Sequence, residues 1–169
     1  CAMKGEPKSS LFTDRATFSR VRLQELSNRF GSAEEFRRFP KLTVFAAGSY
    51  GRLEASAHSD IDLFFFWKGA KSELPEARVD SYRMYAKVID AIHAMNFPKL
   101  SNDGEYLQVQ FTDDIVGHLG GREDDHLNHF TSRMLFLLES QPVLNSECFD
   151  EVLDTIVESY YRDYQDHPK

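Results

Sequence analysis

Asp60 and Asp62 stand two residues apart at the head of an apolar run, in the segment Ser-Asp-Ile-Asp-Leu-Phe-Phe-Phe. In an extended strand the side chains at i and i+2 project from the same face, so the two carboxylates are expected side by side. Carboxylates held together repel, and burying them without a counter-charge is unfavourable. A divalent cation relieves that repulsion. Mg2+ characteristically takes one or two carboxylates and completes its shell with water and substrate phosphate oxygens, and Mn2+ shares its taste for oxygen ligands.

The segment Gly48-Ser49-Tyr50-Gly51-Arg52, a few residues upstream, offers the complementary half. A glycine turn between a strand and a helix lets backbone N–H groups approach phosphate oxygens closely. Ser49 adds a hydroxyl and Arg52 a guanidinium fork. Gly48, Ser49, Gly51, Arg52 and Ser59, the last adjoining the acidic pair, form the expected nucleotide-binding set. A two-metal site needs a third acid from a neighbouring strand. Glu105, at the mouth of the next expected strand, is the first choice and Asp103 the second. The competing reading of Glu105 is a solvated strand-end residue.

The joint pattern is Gly-Ser after an apolar strand, then Gly-Arg, a spacer, and Ser-Asp-Ile-Asp-Leu opening a second apolar strand. Its order and spacing resemble the nucleotidyltransferase superfamily that includes DNA polymerase β and kanamycin nucleotidyltransferase. The Gly-Ser-Tyr-Gly-Arg form with the longer spacer is similar to the N-terminal catalytic domain of bacterial PII-protein uridylyltransferases and their uncharacterised nucleotidyltransferase-like relatives. The similarity is strong over about twenty residues. It continues faintly through residues 105–111 to the helix carrying Thr131-Ser132-Arg133-Met134-Leu135 and ending at Glu139.

The resemblance implies Mg2+-dependent transfer of a nucleoside monophosphate from ATP or another nucleoside triphosphate to a protein or small-molecule acceptor, with release of pyrophosphate. Asp60, Asp62 and Glu105 would be the catalytic and metal-binding acids. Two departures limit what carries over. The family usually has Asp where Glu105 stands, and no segment resembles the histidine-aspartate hydrolase domain that follows in the uridylyltransferases. Neither PII as acceptor nor deuridylylation therefore follows. The alternatives are a non-catalytic nucleotide-binding regulatory module of the same fold, and a second-messenger or polymerising nucleotidyltransferase.

The elements that must position these residues are legible from periodicity. Apolar spacing predicts a helix over 14–30, closed by Gly31. Ser32 and Glu35 read as a capping box for a short second helix that Pro40 ends. Residues 42–46 read as a buried strand. Residues 61–67 form a continuous apolar run suited to a central strand, and 68–72 a loop. A long amphipathic helix over 74–96 shows Tyr82, Tyr85, Ile89, Ile92 and Met95 as its stripe. Residues 105–111 alternate, with Leu107, Val109 and Phe111 on one face and Tyr106, Gln108 and Gln110 on the other. The remainder reads as helical, with Leu127, Phe130, Met134 and Leu137 in one stripe and Phe149, Val152, Ile156, Tyr160 and Tyr164 in another.

The fold class that emerges is α/β: a mixed-sheet nucleotidyltransferase fold with flanking helices and a C-terminal helical extension. Residues 1–12 read as a flexible lead-in or expression remnant, 13–122 as the domain, and 123–169 as the extension, broken off from a longer protein.

With 169 residues, 41% of them hydrophobic, the chain is long enough to bury one core. Its net charge of −7 argues against stable nucleic-acid binding. Basic residues nevertheless gather before Lys41 (Arg15, Arg20, Arg22, Arg29, Arg37, Arg38), as solvated helix faces or as a surface that steers an anionic nucleotide. Two cysteines form no disulfide framework, and no apolar run is long enough to span a bilayer, so a cytoplasmic protein is expected. His126 and His129 read as solvated residues at a helix start, and His118 and His93 as unpartnered. Tyr50 reads either as a base-stacking ring or as packing.

Overall fold

The computed structural model describes residues 8–75, 78–98, 107–120, 124 and 126–166. Glu105 and Asp103 lie outside them, as does Tyr106. The chain forms a mixed α/β domain whose four-stranded sheet has the order β3-β2-β1-β4. Strand β1 (Leu42–Ala47) and strand β2 (Asp62–Trp67) are central, with β3 (Val109–Phe111) and β4 (Gln141–Leu144) at the edges. β1 runs antiparallel to both β2 and β4, while β3 pairs parallel with β2.

Alternation along the two central strands builds two cores. Val44, Ala46, Ile61, Leu63, Phe65 and Trp67 face one side, packed with residues of helices α1 (Lys8–Ser32), α2 (Glu34–Arg37) and α4 (Arg78–Ala94). Phe45, Ala47, Phe64 and Phe66 face the other, against α5 (Thr112–Gly117), α6 (His129–Leu138) and α7 (Ser146–Asp166). The ring of Phe45 stacks on Phe64 at 5.3 Å and meets Phe66 and Phe136 edge-on at 4.9 and 4.8 Å. Such offset and edge-on arrangements are the ones aromatic quadrupoles favour. The Phe-rich run thus serves both layers.

Several expectations are corrected. The C-terminal segment is not wholly helical: β4 lies within it and pairs with β1. Pro142 hides this strand in the sequence, because a residue without N–H suits only an edge position. The first helix is longer than 14–30, and Gly31 lies inside it. Ala33, not Ser32, stands at the N-cap of α2, and the Ser32 hydroxyl donates back to Arg29 O at 3.0 Å. The loop over 68–72 runs into a 3-10 turn, Lys71–Glu73. The long helix begins at Arg78 and buries Met84, Val88, Ala91 and Ile92, so Tyr82 and Ile89 of the expected stripe lie outward. Among the described residues, no helix is long and apolar enough to cross a membrane.

Candidate functional site

β1 ends at Ala47, opposite Asp62 in the register, and the chain turns at once into the single helical turn α3 (Gly48–Gly51). Gly48 makes that turn with φ +62°, a conformation costly for any residue with a Cβ. A Cβ there would lie 2.7 Å from Asp62 Oδ2, so the carboxylate occupies the space only glycine leaves. The register that pairs the strands therefore presses the metal-binding candidate against the phosphate-binding candidate. Among the described residues, the Asp60 and Asp62 carboxylates and the Ser49 hydroxyl have no hydrogen-bond or ion-pair partner; Asp60 is exposed and Asp62 and Ser49 are half-buried.

Gly51 is constrained from a different side. A Cβ there would lie 1.9 Å from the Glu139 carbonyl oxygen, which seats α3 directly against the C-terminal end of α6. Arg52 continues this contact. Its guanidinium donates to Glu54 Oε2 at 3.0 Å and to Glu139 Oε2, and these two carboxylates raise its pKa further. The expected phosphate fork is thus tied between two acids.

Tyr50 is 1% exposed and meets Phe97 edge-on at 5.5 Å, so it is a core residue with no face to offer a base. Ser59 builds the loop: its hydroxyl accepts from Ser56 N at 3.0 Å, and its own N–H donates to Ser56 O at 3.0 Å. Ser19 on α1 anchors the same loop by accepting from Ala55 N at 3.1 Å. Leu53, two residues before Ala55, has φ +58°. That strain in a branched residue is sustained only where the surroundings over-determine the backbone.

Much of the basic lean before Lys41 is consumed internally. Arg22 reaches Met95 O and lies 4.2 Å over the Phe97 ring, Arg29 pairs with Glu25, and Arg38 with Asp80.

The donor set suits a hard divalent cation. Asp62, without a cationic partner among the described residues, sits against a turn able to approach phosphate, with Asp60 two residues before it, and Mg2+ needs only one or two carboxylates when phosphate supplies the rest. Among the described residues no group of three or more His, Cys, Asp or Glu side chains could hold a metal by itself.

A feature the sequence did not announce lies on the same face of β2. A cavity of about 530 Å3 opens beyond Phe64, two residues along the strand from Asp62, and is lined by Gln110, His118, His129 and Ser132 among others. The buried face of α6 is His129, Ser132, Arg133 and Phe136, whereas Leu127 and Phe130 of the expected apolar stripe are about half exposed. His129 is therefore not a solvated helix-start residue. It is 8% exposed and stacks on His118 at 5.4 Å, so His118 too has a partner. Burial, then the neighbouring His118, push the His129 pKa down and keep it neutral at neutral pH.

Arg133 anchors this helix from beneath. Its guanidinium holds Asp124 bidentately at 2.9 and 2.6 Å and donates to Ile115 O and the Tyr160 hydroxyl. Unexpected buried polar residues on a nominally apolar helix were the available signal for the cavity, but sequence periodicity ranks Leu and Phe first. No protein-family model matches the chain, and no curated protein matches it.

Proposed function

We propose that the chain is a divalent-metal-dependent nucleotidyltransferase of the DNA polymerase β-like fold, related to the nucleotidyltransferase domains of PII-protein uridylyltransferases. The observation that carries this reading is the seating of Asp62 Oδ2 in the space left by Gly48. It sets Asp62 against the glycine turn, from which it is separated in sequence.

Asp60 and Asp62 would hold Mg2+ or Mn2+, which supplies positive charge to the phosphate oxygens. The Gly48 turn and the Ser49 hydroxyl, without a partner among the described residues, receive the β- and γ-phosphates of the triphosphate. Arg52 is positioned by Glu54 and Glu139 at the far end of the turn. An acceptor hydroxyl oxygen forms a bond to the α-phosphorus. The bond from that phosphorus to the α,β-bridging oxygen breaks, its electron pair leaves with pyrophosphate, and the hydroxyl proton passes to solvent. Glu105 remains the proposed third acid.

The test uses nucleoside triphosphates labelled at the α or γ phosphorus, incubated with the full chain, Mg2+ and a cell lysate. The α label is expected in a new product and the γ label in pyrophosphate, with both lost in Asp62→Asn. Triphosphate that binds but is never cleaved would instead favour a regulatory module.

A further inference from the structure

We propose that the 530 Å3 cavity between β3 and α6 is the acceptor pocket, and that the acceptor is a small, uncharged, hydroxyl-rich molecule such as a polyol or neutral sugar. This rests on the nucleotidyl-transfer reading and names its missing substrate class.

The sheet order gives the placement. The glycine turn follows β1, Asp62 opens β2 with Asp60 two residues before it, and the cavity lies over β3, so Asp62 stands between the turn and the cavity. In-line displacement puts the attacking oxygen opposite the leaving group. With pyrophosphate held on the β1 side, the attacking hydroxyl arrives from the β3 side. Phe64 lines the cavity, and two residues of strand put its edge only about 7 Å from Asp62.

The lining gives the chemistry. Gln110 Nε2 donates to Ser132 Oγ at 2.8 Å, which pins the amide and leaves its buried Oε1 as an acceptor without a partner. Nδ1 of His118 and Nδ1 of His129 are likewise buried and unpartnered. Gln108, Gln110, Asn128, Thr131 and Ser132 line the cavity with amides and hydroxyls, groups that suit a ligand that both donates and accepts. Hydroxyl groups do both. Among the described lining residues the fixed charges are one Lys71 and one Asp114, which balance, and His129 is neutral. That lining favours neither a phosphorylated nor a strongly cationic acceptor. The volume lies within the range of pockets that enclose small molecules, too small for a folded protein surface to enter.

Two measurements on the full chain test this. The first follows the His118 and His129 imidazole NMR signals during titration with glycerol, inositol and glucose, and separately with adenosine and uridine. The second follows pyrophosphate release from labelled triphosphate with the same polyols as acceptors. The expected results are imidazole shifts with at least one polyol, and pyrophosphate release that saturates with it. Gln110→Leu should raise the acceptor KM roughly tenfold, as loss of one hydrogen bond does, with the triphosphate KM changed less than twofold.

Imidazole shifts with nucleosides alone would make the cavity a base site, and transfer only to a lysate protein would make the acceptor macromolecular. Either overturns the proposal while the transfer reaction stands. Absence of cleavage with every triphosphate would overturn the reaction itself, and the imidazole response would still decide what the cavity binds. Should Gln110→Leu fail to fold, Ser132→Ala, which frees the amide without enlarging the apolar lining, carries the same expectation.

Discussion

Replacing Gly48 with alanine perturbs the fold and the site through one added methyl group. The backbone at φ +62° puts the new Cβ into the left-handed region, a destabilisation of about 1–2 kcal/mol. For a domain of this size that corresponds to a fall in Tm of roughly 2–8 °C. The methyl would also stand 2.7 Å from Asp62 Oδ2, so the carboxylate has to retreat by about 0.7 Å to reach ordinary van der Waals contact. A displacement approaching 1 Å at a reacting centre lowers rate by about a hundredfold. Thermal denaturation and Mg2+-dependent pyrophosphate release, measured on the same preparations, read the two effects separately. Gly31→Ala is the control: that glycine is helical with nothing within 4 Å of an added Cβ, and alanine there should stabilise by about 0.5–1 kcal/mol. Unchanged Tm and unchanged rate in Gly48→Ala would refute the reasoning. A lowered Tm with a full rate would place Asp62 outside the chemistry.

Gly51→Ala should be the more damaging glycine replacement, at about 3 kcal/mol or more by urea denaturation, because its clash is with the Glu139 backbone and not with a side chain that can turn away. Arg133→Met leaves Asp124 buried without its guanidinium and should lose about 3–5 kcal/mol, much of it restored by adding Asp124→Leu. The Arg133 hydrogen bonds hold the Asp124 carboxyl below the usual carboxylate range, against the opposing effect of burial. Its contribution is therefore full above the unfolded value of about 3.9 and is lost as pH falls through the folded one. Urea midpoints at pH 7 and pH 3 should accordingly differ more in the wild type than in the double variant. Burial pushes the Cys148 thiol up to about 11, so at pH 8 only about a thousandth is thiolate. Disulfide reagents should label it far more slowly in the native protein than in urea, and comparable rates would contradict its burial in the first turn of α7.

The sequence and the structure agree best where one physical rule acts alone. The β1 and β2 runs are apolar on both faces, and only a central strand covered by helices on each side accommodates that. The Gly48 turn was legible because a tight turn at positive φ favours glycine. What lay beyond reach depended on neighbours distant in sequence. Tyr50 reads as a possible stacking ring until α1 and Phe97 close over it. Arg52 reads as a free cation because Glu139 lies 87 residues away. The stripe on α6 is offset from the expected one because the helix faces a polar cavity and an ion pair, where Leu127 and Phe130 gain nothing by turning inward. β4 is masked by Pro142, whose edge position is visible only once β1 is in place.

The central claim is that Asp60 and Asp62 work with the Gly48 turn to transfer a nucleoside monophosphate. Its most direct test is pyrophosphate release from each nucleoside triphosphate, with and without Mg2+, in wild type, Asp62→Asn and Glu73→Gln. Glu73 is a control carboxylate, tied to Lys41 away from the turn. Release that requires Mg2+, persists in Glu73→Gln and falls by a hundredfold or more in Asp62→Asn is the predicted result. Release that is equal in wild type and Asp62→Asn, or absent from both with every triphosphate, would contradict it.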